Sequence, residues 1–138
     1  MALAILAGWA ALLLAVFVIE RPVLMLTARF LGASWVPTVR LTLECTALAG
    51  TGWVIGRLNR SSPVLAALIF AATLAPWDFG EMLEIRFRWL LRLAADALRD
   101  PRYFDSLVET TILHLFLFGS LIAGAMLSRS RTAPLSIR

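Results

Sequence analysis

The chain has 138 residues, 60% of them apolar, and thirteen basic residues against nine acidic ones give a net charge of +4. A mean hydropathy of +0.83 excludes an ordinary water-soluble globule, whose apolar share is about 45–50%. The sequence pI near 11.0 does not point to nucleic acid, because the arginines sit at the ends of apolar runs and in one connector, without interleaved aromatics.

Four apolar runs, at 2–19, 39–56, 62–77 and 107–128, each approach the ~20 residues needed to cross a ~30 Å hydrocarbon core. The expected fold is all-α: a polytopic membrane protein with a single membrane domain over 1–138. It has four transmembrane helices, an amphipathic interfacial helix over 81–99 and a short interfacial segment over 22–33. The single cysteine, Cys45, lies inside a span, so no intrachain disulfide can form.

The first run has no basic residue before it and no small-x-small site after Phe17, so it reads as an uncleaved anchor. Ala4, Gly8, Ala11 and Ala15 recur at four-three-four spacing and share one helical face. Glu20-Arg21-Pro22 is expected to stop this helix, since two charges and a proline oppose continuation. The next segment is apolar but broken by Arg29, Gly32 and Pro37, with Trp35 at headgroup depth.

The second run is the expected hub. Thr42, Cys45, Ala49, Gly52 and Gly56 form a stripe of small side chains along it. Such a stripe lets another helix backbone come close, and in lipid that packing replaces the hydrophobic effect as the cause of association. Ser62 and Pro63 then read as N-cap and first helical residue of the third span, whose ridge is Ala67, Ala71 and Ala75.

Asp78-x-x-Glu81 and Ser106-x-x-Glu109 have the spacing of capping boxes. Over 81–99, Glu81, Glu84, Arg88, Arg92, Asp96 and Arg99 share one face, and Leu83, Phe87, Leu90, Ala94 and Leu98 the other. Arg86, Arg88 and Arg92 are the candidates for contact with lipid phosphates. The run Leu74-Ala75-Pro76-Trp77-Asp78-Phe79, an amphipathic connector and Leu115-Phe116-Leu117-Phe118-Gly119 together resemble the VanZ-like membrane proteins. The resemblance covers part of the chain, and no function or site residue is carried over from it.

Four spans put both termini on one side, together with Arg57, Arg60, Arg129, Arg131 and Arg138 and no acid. The expected location is a bacterial inner membrane with both termini cytoplasmic. On that topology Glu44, Thr73 and His114 all lie roughly 6–9 Å below the outer interface. With Arg40 one turn from Glu44, they form a candidate buried polar site.

No zinc-ligand pair, phosphate loop or nucleophile motif is present, so neither a metal nor a cofactor is expected. Many small-residue faces and few reactive groups suggest a non-enzymatic accessory, assembly or partner-binding subunit. It would pack with another membrane protein or with its own copies. The alternatives are a small transporter or channel using Glu44 and His114, and a membrane enzyme acting on lipid.

Overall fold

A continuous helix of 29 residues, Ala2–Phe30, opens the fold. The computed structural model describes residues 1–74 and 87–130. The Asp78/Glu81 capping box, Ala75, Arg86 and the basic tail lie outside the described residues. Every described element is a helix: α1 (Ala2–Leu14), α2 (Arg21–Phe30), α3 (Val36–Leu58), α4 (Pro63–Leu74), α5 (Phe87–Ala97) and α6 (Phe104–Ser130). A π-helical segment, Ala15–Glu20, joins α1 to α2, and short 3₁₀ turns precede α3 and α6.

The expected stop at Glu20-Arg21-Pro22 does not occur. Glu20 keeps helical angles (φ −62°, ψ −51°), and Pro22 falls in the first turn of α2. A proline inside a helix removes one hydrogen bond and crowds the carbonyl four residues back. The wider π turn directly upstream makes that room, and the helix runs on. It ends at Leu31, where Gly32 takes φ +93°, a backbone angle that other residues rarely adopt.

Helix α3 is 23 residues long, roughly 34 Å at the α-helical rise. It packs most extensively against α6, then against α1, and also against α4. The seam with α6 is made by glycine. A Cβ on Gly52 would strike the Leu121 carbonyl oxygen, one on Gly56 the Ser128 hydroxyl, and one on Gly124 the Ala49 carbonyl oxygen. Gly52 meets Leu121 and Gly56 meets Ala125, one turn later on both helices, so α3 and α6 run in the same direction.

Helix α1 runs the opposite way to α3. Asn59 Nδ2 reaches Met1 Sδ at 3.4 Å, Gly8 faces Ile55, and Glu20 faces Arg40. Gly8 also leaves room for Phe70 of α4, so three helices meet there. The core is Leu12, Val16, Leu48, Ile55, Phe70, Leu74, Leu117 and Leu121, with Ala66, Ala67 and Ala125 between them.

Large apolar side chains also cover the outside: Leu3 is 71% exposed, Leu6 66%, Leu115 67% and Phe116 65%. Apolar surface on that scale marks contact with something other than water. Two helices, Ala2–Phe30 and Pro101–Arg129, are long and apolar enough to cross a membrane. Helix α4 is apolar but shorter, and α3, which carries Arg40, Glu44 and Arg57, does not reach the same apolarity.

Two expected local features differ. Asp100 caps the entrance to α6: its side chain accepts from the Arg102 backbone N–H, Pro101 follows, and the helix is already under way at Phe104. Ser106 therefore lies inside α6 and is not its cap. Helix α5 presents Leu90, Leu93 and Ala94 inward and packs on α6, whereas Leu98, expected on the apolar face, is 90% exposed because the helix ends at Ala97.

Candidate functional site

Arg40 organises the charged centre of the described structure. Its Nε donates to Glu44 Oε1 at 3.0 Å, one turn along α3, and lies 3.7 Å from Glu20 Oε1 on the neighbouring helix. The Glu44 side chain is fully buried and that of Glu20 is 6% exposed, while Arg40 keeps 23% exposure. An amphipathic arginine can place its stem among apolar side chains and its head near water, so Arg40 connects the buried carboxylates to the surface at this end of the bundle.

Glu20 was not legible as a site residue. Charge followed by proline reads locally as a helix stop, and only the continuation of α1 into α2 brings the carboxylate against Arg40. The signal was that a single acid at the end of an apolar run faces a single base at the start of the next antiparallel run.

His114 is also buried. Its Nδ1 donates to the Thr110 carbonyl at 2.8 Å, and the ring stacks on Phe118. Two turns back from Gly52 is Glu44, and two turns back from Leu121 is His114. With α3 and α6 parallel, the two residues sit on one level of the bundle.

Thr73 belongs to a different pair. It accepts from Trp9 Nε1 at 3.1 Å and donates to the Phe70 carbonyl at 2.6 Å, while the Trp9 ring meets Phe70 edge-on at 5.7 Å. Its hydroxyl is thereby committed to fastening α4 to α1.

The small-residue stripes divide. Gly52 and Gly56 are buried against α6, the Ala49 backbone meets Gly124, and Cys45 packs on the core. Thr42 is exposed and donates to the Thr38 carbonyl, so it takes no part in the seam. It lies at the end of α3 where the polar cluster, not a close backbone contact, occupies the interior.

On α1, Ala4 and Gly8 are buried. Ala11 and Ala15, expected to pack closely, instead border an open groove of about 380 Å³ between α1 and α3. Leu14, Ile19 and Glu20 line its α1 side, and Thr46, Gly50 and Trp53 are among those on the α3 side. Among the described residues, two buried side-chain atoms have no hydrogen-bond partner, Glu20 Oε2 and Thr51 Oγ1, and both residues line this groove.

Arg88 and Arg92 are exposed on α5, away from the face that packs on α6. Among the described residues no group of three His, Cys, Asp or Glu side chains comes together as a metal site. No protein-family model matches the sequence, and no curated protein and no solved structure is detectably similar to the chain.

Proposed function

We propose that this chain is a four-span integral membrane protein that acts as a non-enzymatic partner-binding subunit. It would hold another membrane component in the groove between α1 and α3. The observation that carries this proposal is the groove itself. Gly52, Gly56 and Gly124 are consumed inside the molecule, where α6 closes on α3, whereas Gly50 opens laterally into this groove, which also carries the buried carboxylate of Glu20.

In this proposal Ala2–Phe30, α3, α4 and α6 cross an inner membrane, with α5 lying along the outer interface. Both termini are cytoplasmic, supported by the arginines that flank that side, Arg57, Arg60 and Arg129.

A photoreactive side chain placed at Gly50, where an added Cβ meets nothing within 4 Å, tests the proposal in native membranes. It should give one discrete adduct, while the same probe at the exposed Leu3 labels diffusely. Equal, diffuse labelling at both positions would overturn the proposal.

The level shared by Glu44 and His114 favours a second function, a small transporter or channel that passes a proton or cation through this layer. Glu44→Gln would then abolish flux in proteoliposomes while the helices stay folded. In a partner-binding subunit the same change leaves the Gly50 adduct intact.

A further inference from the structure

We infer that the groove between α1 and α3 holds one acyl chain of a lipid whose headgroup carries an ammonium with at least one N–H, and that Glu20 Oε2 accepts from that ammonium. This inference rests on the proposal that the groove receives a membrane component, and it names the component.

The groove is narrow and elongated. Its α3 wall extends from Leu43 to Val54, and the facing wall, formed by α1 and the π-helical segment, from Ala11 to Glu20, roughly 16 Å along the helices. Apart from Glu20, Thr46 and Thr51, the side chains along it are apolar. Its volume of about 380 Å³ is near the lower end of the range for small-molecule sites and suits a single chain better than a whole helix.

A lipid tail gains little by exchanging neighbouring tails for a protein groove of equal apolarity. Any preference for one lipid must therefore come from the polar end. There Glu20 is 5% exposed, with Oε1 toward Arg40 and Oε2 without a partner. A buried carboxylate oxygen left without a donor is costly, and a charge-assisted bond from an ammonium removes that cost.

The carboxylate also stands at the correct height, beside Arg40, whose partial exposure marks the headgroup end. A head that ends in an anionic group would meet like charge at Glu20, and a quaternary ammonium has no hydrogen to donate. Thr51 asks for no ligand, because a threonine hydroxyl in a helix can turn to the carbonyl one turn back, as Thr46 does toward Thr42.

The test is native mass spectrometry of the full chain. It would be purified from vesicles of equal phosphatidylethanolamine and phosphatidylcholine with matched acyl chains. The ethanolamine lipid should be retained roughly tenfold more than the choline lipid, the scale expected of one charge-assisted hydrogen bond. Glu20→Gln should bring the two to near parity, and Gly50→Trp, which fills the groove, should release both.

Should Glu20→Gln fail to fold, wild-type chain offered the N-methyl and N,N-dimethyl lipids as well gives the same answer: retention should collapse once the last N–H is replaced. Equal retention of both lipids by wild type, with release by Gly50→Trp, overturns the ammonium inference but leaves the groove as a binding site. Retention unchanged by Gly50→Trp overturns the groove proposal too. A cross-linked second copy or partner helix in the groove, in place of lipid, overturns the inference as well.

Discussion

Glu20 and Arg40, on two antiparallel helices, approach to 3.7 Å at the end of the bundle where the apolar core gives way to charge. The same guanidinium donates to Glu44 at 3.0 Å, so one arginine compensates carboxylates from α1–α2 and from its own helix. Removing one partner of such a buried arrangement costs more than the arrangement itself contributes, because a charge is left without compensation. Arg40→Met should therefore destabilise the folded protein by roughly 3–5 kcal/mol. Adding Glu20→Gln and Glu44→Gln to that variant should recover most of the loss, read as the midpoint of unfolding in mixed detergent micelles.

The seam between α3 and α6 predicts a sharp contrast between two glycines two residues apart. A Cβ at Gly52 has no space, because the Leu121 carbonyl oxygen already occupies its position. Gly52→Ala should cost at least about 1–3 kcal/mol, the range for overpacking. At Gly50, where the added Cβ meets open space, alanine should be neutral or stabilising by up to ~1 kcal/mol through helix propensity. The same unfolding titration reads both.

Trp9 Nε1 donates to Thr73 Oγ1 at 3.1 Å and so joins α1 to α4. Trp9→Phe keeps an aromatic edge against Phe70 and removes the donor, so it should cost about 0.5–1.5 kcal/mol. Thr73→Val should cost a similar amount. A double-mutant cycle should show the two changes to be less than additive, since both delete the same bond.

At the entrance to α6, the Arg102 side chain, and then its backbone N–H, hold the Asp100 carboxyl below its ordinary value of 3.8. A carboxylate whose folded pKa is lowered contributes stability that is present above its ordinary pKa and fades as pH falls through the folded one. Acid titration followed by the Arg102 amide resonance should show this turn loosening only below about pH 3.8. Asp100→Asn should remove the pH dependence while keeping the cap.

Much of the interior was legible from spacing alone. Gly52 and Gly56 recur one turn apart, and helical periodicity puts them on one face whatever that face meets. The i,i+4 pairing of Arg40 with Glu44 follows from the same arithmetic. What escaped depended on contacts between elements. Glu20 looked like a terminator because local rules weigh charge and proline, whereas the π turn and the distant Arg40 decide what happens there. Ala11 and Ala15 have the same spacing as Ala4 and Gly8, yet one pair is buried and the other borders a groove. Periodicity names a face, but not the partner that covers it. Thr73 matched Glu44 and His114 in expected depth, and only the three-dimensional packing assigns its hydroxyl to Trp9.

The apposition of Glu20 with Arg40 can be measured directly. In a Cys45→Ala background, Glu20→Cys paired with Arg40→Cys should be joined by a short bifunctional thiol reagent in native membranes. Glu20→Cys paired with Arg57→Cys, at the other end of α3, should not. Joining of the second pair, or of neither, would contradict the antiparallel α1–α3 contact on which the charged layer and the groove depend.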